Sequence, residues 1–411
     1  DSFPKYLTGS NGKVFFSAWT AANGTELWVS DGTSAGTLIQ EIYAGTGSSS
    51  PANLVDVNGM LFCQAADAAG GAELWKCDGV TVKTQVKDIY SGTTGSSPAN
   101  LVNVNGTLFF SANTSASGTE LWRSDGTNAG TTQVLDINSG AANAAPANLT
   151  NVNGVLYFSA NDGVAGAELW KSDGTAGGTA LVKDIYAGAT GSSLAAFTNV
   201  NGVLFFTAND GINGIELWKT DTTAGAVMVK DIYATVSTTY YPSNLTEVNN
   251  QLFFTAYEGT NGYELWKSDG TSANTVMVLN IRAGSGNSSP SNLKNVNGTL
   301  YFQANDGIDG NELWKSDGTA TNTVKVKNIE TRMGGTDSSS PAYQAVMDGV
   351  LYFRANDGTT GNELWKSDGT AEGTKAVKDI WPGGSSSSPA NLTNVNGTLY
   401  FQAEDGVNDI Q

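Results

Sequence analysis

The triplet Glu-Leu-Trp occurs eight times, placing tryptophans at Trp28, Trp75, Trp122, Trp170, Trp218, Trp266, Trp314 and Trp365, spaced 47–51 residues apart. An aspartate follows each by three positions: Asp31, Asp78, Asp125, Asp173, Asp221, Asp269, Asp317 and Asp368. A fixed period of this length means one supersecondary unit copied in tandem. Whatever one copy folds into, its neighbours must also fold into, and each must bury its apolar faces against the next. Only Trp19 and Trp381 lie outside the series.

Residues 146–186 show the unit's anatomy. Pro146 to Val152 is a short alternating run, and Asn153-Gly154 follows it. Asn-Gly favours a type I′ hairpin turn because both residues accept positive φ. Val155 to Ala160 is β-branched and aromatic, as in a strand covered on both faces. A second turn, Asn161 to Gly166, precedes Glu168-Leu-Trp-Lys-Ser172. Asp173-Gly174-Thr175 opens a third turn, and Thr179 to Ile185 is a fourth strand. No segment has helical periodicity, and 50 glycines recur too often for helices.

Four antiparallel strands in about 48 residues describe a propeller blade. The expected fold class is therefore all-β, a propeller of eight four-stranded blades. The first strand should lie nearest the axis and the fourth at the rim. Lys-Asp pairs such as Lys87-Asp88 and Lys183-Asp184 would then protect an exposed edge. The competing architecture is an open solenoid of sheets. The units run at about 1–46, 47–93, 94–141, 142–189, 190–237, 238–285, 286–336 and 337–381.

The sequence resembles the bacterial ELWxxDGT-repeat proteins. The motif stands complete as Glu168-Leu-Trp-Lys-Ser-Asp173-Gly-Thr175 and Glu363-Leu-Trp-Lys-Ser-Asp368-Gly-Thr370. Two copies depart from it: Val80 replaces the threonine, and Asp221-Thr222-Thr223 loses the turn glycine. The resemblance implies a large exported or surface protein of a bacterium, with no defined activity attached to the repeat.

The hairpin of first and second strands occurs nine times, once more than Glu-Leu-Trp. Residues 382–411 thus form a partial ninth unit, and a lone hairpin is marginal in water. The chain could be a fragment of a longer array, the hairpin could be displaced onto a neighbour, or an open ring could join subunits end to end. The favoured expectation is an eight-bladed ring whose surplus hairpin mediates self-association or contact with other surface proteins.

Composition removes several functions. The 411 residues contain no His, so there is no Ser-His-Asp or Cys-His machinery and no His-ligated zinc or haem. Lys and Arg number 21 against 39 Asp and Glu, a net charge of −18, which offers no footprint for nucleic acid or an anionic membrane. No apolar run approaches the roughly 20 residues of a membrane helix. The start, Asp1-Ser2-Phe3-Pro4, shows no basic-then-apolar signal peptide, so the expectation is a mature chain or one not exported by that route.

Two carboxylates six residues apart bridge a glycine-rich turn at Asp162/Glu168, Asp210/Glu216, Asp306/Glu312 and Asp357/Glu363. Such pairs with free carbonyls could surround Ca²⁺, the one cofactor suggested. The plainer reading makes the aspartate an Asx-turn and the glutamate an acceptor for backbone N–H groups. The repeated tryptophans read as inter-blade packing, which leaves Trp19 and Trp381 as candidate ligand-stacking aromatics. Cys63 and Cys77 are diagonal across one hairpin; a disulfide and two free buried thiols are both open. The irregular segments, 235–241 and 331–340, contain no recognisable acid–base or nucleophile set. The functional expectation is a non-enzymatic exported or cell-surface structural or adhesive module. Its alternatives are a multivalent glycan-binding module and, less favoured, an extracellular polysaccharide hydrolase or lyase.

Overall fold

The computed structural model describes residues 2–331, 338–407 and 410. They contain thirty-four strands and no helix. The fold is a β-propeller of eight four-stranded antiparallel blades, at residues 5–40, 52–87, 99–135, 147–183, 195–230, 243–279, 291–327 and 342–378. A two-stranded hairpin at 390–402 follows. Within every blade the strands pair in chain order. The chain forms two compact units that divide between Leu194 and Ala195, the first with blades 1–4 and the second with blades 5–8 and the hairpin.

Turn chemistry fixes each blade. Asn105 and Gly106 have φ of 51° and 84°, and Asn153 and Gly154 have 51° and 86°, the double positive φ of the expected type I′ turn. Asn249-Asn250 and Asp348-Gly349 reach the same conformation. The first strand is less regular than its alternation suggests. A register shift divides Ala99 from Val102 where they pair with Ser111 and Phe109, and Asn100 sits inside it at φ 55°. This β-bulge turns the Asn100 amide toward the next blade, where Nδ2 donates to the Pro146 carbonyl at 3.1 Å. Asn53, Asn244 and Asn292 make the same bond to Pro98, Pro290 and Pro341. Within each unit the first strands of successive blades touch, which is the hub position expected for them.

The core lies between blades. Val104, Phe109, Leu121, Val134 and Ile137 of blade 3 pack on Leu156, Phe158, Ala160 and Trp170 of blade 4. The same two faces meet between blades 6 and 7 and between blades 7 and 8. Trp75 to Trp365 of the series are all 5–9% exposed, so the tryptophan is an inter-blade residue. Burying roughly 200 Å² per indole is worth on the order of 5 kcal/mol at about 25 cal/mol/Å². Gly174, at φ 90°, lets the Ser-Asp-Gly turn pass under Phe109 of the preceding blade; a Cβ there would lie 2.9 Å from the ring.

The fourth-strand charges do more than guard an edge. Lys230 Nζ reaches the Thr275 carbonyl of the next blade at 2.8 Å and lies 5.8 Å from the Trp266 ring. Lys327 repeats this with Thr374 and Trp365. Asp136 and Asp184 accept the N–H of Gly140 and Gly188, turning the chain toward the next blade. The hairpin rests on blade 8: Asn394 Nδ2 donates to the Val346 carbonyl at 3.1 Å, and Val395 is buried.

Candidate functional site: a hub pocket where the repeat is broken

Two constellations bear on function, a carboxylate repeated in every blade and a pocket found where the repeat fails. The Glu of each Glu-Leu-Trp is at most 2% exposed at Glu26, Glu73, Glu120, Glu168, Glu216, Glu264, Glu312 and Glu363. It latches the connection leaving its own blade. Glu73 accepts the N–H of Ile89, Tyr90 and Ser96 at 3.1, 3.0 and 2.8 Å and the Ser96 hydroxyl. Glu264, Glu312 and Glu363 do likewise with Ser288, Ser339 and Ser387. In blade 3, Ala144 stands where Ser96 stands, and Glu120 receives only the N–H groups of Ile137, Asn138 and Ala144. Among the described residues, Glu216 receives only those of Ile232 and Tyr233. Burial pushes Glu73, Glu168, Glu264 and Glu312 above the ordinary carboxyl range against these bonds. It pushes Glu120 and Glu216, which lack the hydroxyl, up to about 7.

This latch bears on the four aspartate–glutamate pairs in which calcium was expected. Asp162, Asp210 and Asp357 fold onto their own turns, where Oδ1 accepts the N–H groups two and three residues on. Glu168, Glu216, Glu312 and Glu363 are committed to the blade connections. The two carboxylates of each pair therefore serve different partners. In blade 7 a cation is already supplied by Lys325, whose Nζ lies 2.8 Å from Asp306 and is also bonded to Asp309. Among the described residues no group of three or more His, Cys, Asp or Glu is placed to hold a metal.

Cys63 and Cys77 are both free and buried. Burial raises both thiols above their ordinary range. Cys77 replaces the serine of Ser-Asp-Gly, and its Sγ accepts the Gly79 N–H at 3.4 Å as the Ser172 hydroxyl accepts that of Gly174. Trp381 is half-buried with Gly406 against its indole; it takes the place held by Tyr43 in the blade 1 connection rather than an open stacking position. Trp19 is 45% exposed and borders a cavity of about 430 Å³ with Phe3, Lys5, Ser17 and Thr25. Of the irregular segments, 332–337 lie outside the described residues. Segment 235–241 contributes Tyr240, stacked 4.3 Å from Tyr257 and packed with Tyr233 and Tyr263.

The pocket lies at the hub of blades 7 and 8. It has a volume of about 570 Å³ and is lined by Asn292, Leu293, Lys294, Ala342, Tyr343, Gln344 and Arg354. Three of these occur at their positions in no other blade. Gln344 stands where the other blades have Leu or Phe, Arg354 where they have Ser, Thr or Gln, and Lys294 where blades 4–6 have Thr; Tyr343 stands where five blades have Asn and blade 1 has Tyr6. The ordinary pair closes on itself, as when Asn100 Nδ2 donates to Ser111 Oγ at 3.2 Å. In blade 8 the pair becomes a stack, with the Arg354 guanidinium 4.3 Å from the Tyr343 ring centre. Gln344 Nε2 and Oε1 and Arg354 Nε are buried with no hydrogen-bond partner. Asn292, by contrast, is occupied with Pro341. No acidic side chain lines the pocket. The signal in the sequence is single-residue departures on otherwise regular strands, outside the irregular segments.

No protein-family model matches the chain, and comparison with curated proteins finds no relative. Solved structures resemble it in fold. A puromycin hydrolase complexed with PGG is 14% identical, with a TM-score of 0.44 over 85% of this chain and 58% of that one. A puromycin-hydrolyzing peptidase of Mycobacterium tuberculosis is 13% identical, TM-score 0.43, over 88% and 59%. A prolyl endopeptidase is 12% identical, TM-score 0.48, over 98% and 54%. This chain thus spans under three fifths of their length. These neighbours are peptidases, against the expectation of a non-enzymatic adhesive module. At this identity the likeness is one of fold.

Proposed function

We propose that this propeller is the substrate-binding part of a peptidase-type hydrolase, with its ligand held in the hub pocket of blades 7 and 8. One observation carries the reading: a buried amide and a buried guanidinium nitrogen, both without partners, converge in a cavity flanked by Lys294. An unmet buried polar group costs about 1–3 kcal/mol, and more when charged. Gln344, Arg354 and Lys294 stand together where no other blade has such residues, the Asn–Ser hydrogen bond of the ordinary blade is absent, and a bound ligand would supply partners. Gln344 presents one donor face and one acceptor, the complement of a peptide group. The 411 residues hold no His, so the reading gives recognition to this chain and bond cleavage to groups outside it.

The Glu-Leu-Trp repeats support placing the chain among ELWxxDGT-repeat proteins with an exported or cell-surface setting. Association with other surface proteins through the hairpin at 390–402 belongs to the same proposal.

Titration calorimetry with trialanine tests the reading. The native protein should bind, and the triple variant Tyr343→Asn, Gln344→Leu, Arg354→Ser should not. That variant carries the residues other blades already use, so it should fold. Absence of heat with trialanine, or equal binding by both proteins, overturns the reading.

A further inference from the structure

We infer that the hub pocket reads the C-terminal end of a peptide: the free α-carboxylate on Arg354 beside Lys294, and the adjoining peptide group on Gln344. This rests on the proposed function and narrows it to one class of substrate end. Arginine binds carboxylates along a planar fork, two parallel N–H bonds at once. The Tyr343 ring, 4.3 Å from the guanidinium, packs against that fork. Arg354 Nε, half of one edge of the fork, is buried and unbonded, so the edge is preset and empty of a protein acceptor.

Charge favours an anion only locally. At −18 overall the protein repels anions at a distance. Among the described residues neither Lys294 nor Arg354 makes an ion pair, and no carboxylate lines the cavity to neutralise them. An inorganic anion would satisfy the two cations but leave both atoms of the Gln344 amide unmet. An internal stretch of polypeptide would satisfy the amide but leave the cations unmet. A chain end carrying a carboxylate next to a peptide group satisfies all of them.

The experiment compares trialanine, trialanine amide and inorganic phosphate by titration calorimetry on the native protein, Arg354→Ser, Gln344→Leu and Lys294→Thr. Each substitution installs the residue found at that position in other blades, and melting curves confirm folding. Trialanine should bind at least about tenfold more tightly than its amide, the loss expected when a charged partner is removed. Arg354→Ser should abolish that preference. Gln344→Leu should weaken trialanine about tenfold while leaving phosphate unchanged. Lys294→Thr should weaken trialanine several-fold and flatten its salt dependence. Equal binding of acid and amide overturns this inference and leaves peptide binding intact. Binding of phosphate without either peptide overturns both.

Discussion

Blades 2 and 3 close around the same buried glutamate and differ in one donor to it. In blade 2 the Ser96 hydroxyl joins three backbone N–H groups on Glu73; in blade 3 Ala144 supplies only its N–H to Glu120. Both carboxylates are fully buried. The three backbone donors are equivalent in both, so the hydroxyl is the donor that distinguishes them. A buried carboxylate stays ionised only as far as its donors outweigh desolvation, and with one donor fewer Glu120 is raised to about 7. The same carboxylate is thus raised in both blades, and up to about 7 in the one that lacks the hydroxyl.

The severest way to break the comparison is to remove the carboxylate itself. Glu73→Ala leaves Ile89, Tyr90 and Ser96 donors buried without an acceptor, and urea unfolding should show a loss of about 3 kcal/mol or more. Ser96→Ala converts the blade 2 latch to that of blade 3. It should cost about 1–2 kcal/mol and raise the Glu73 carboxyl toward that of Glu120, read by carbon NMR of the side chain. Ala144→Ser makes the opposite change and should add about 1 kcal/mol at pH 8.

The sign of the pH effect follows from the direction of the shift. Glu120 and Glu216 lie at about 7, above the ordinary 4.5, so the folded protein holds protons that the unfolded chain releases. Their contribution is full below about 4.5 and is lost as pH rises through 7. Urea melts should show this fall between pH 5 and pH 8, and Ala144→Ser should shrink it; an unchanged slope would count against the missing-donor explanation. The smallest effect expected is none: EDTA should leave the melting temperature where it was, because the Asp and Glu of each pair are engaged separately.

The blades were legible in sequence because their determinants are local. Asn-Gly sets the hairpin, Asp-Gly-Thr the next turn, and the apolar runs the faces that meet. The glutamate's role was half legible. That it accepts backbone N–H groups follows from residue type, but its partners lie 16 to 27 residues ahead on the connection, as Glu73 shows with Ile89 and Glu312 with Ser339. Such a distance has no short-range signature, and the nearer aspartate drew the calcium reading instead. The hub pocket was hidden for a different reason. Tyr343, Gln344 and Arg354 lie on two strands, and only pairing of Ala342 with Arg354 brings them together. Aligning the first and second strands of the blades position by position exposes Gln344 and Arg354 as departures.

Every interface within a unit joins the same two kinds of surface, the Phe109-type face of one blade to the Trp170-type face of the next. Duplication of one 48-residue segment would therefore enter between existing neighbours with both its mating surfaces already suited to them. Growth or shortening of such a gene asks for no compensating change elsewhere, whereas the Tyr343, Gln344 and Arg354 combination, dependent on a particular adjoining copy, survives only if those two blades are inherited side by side.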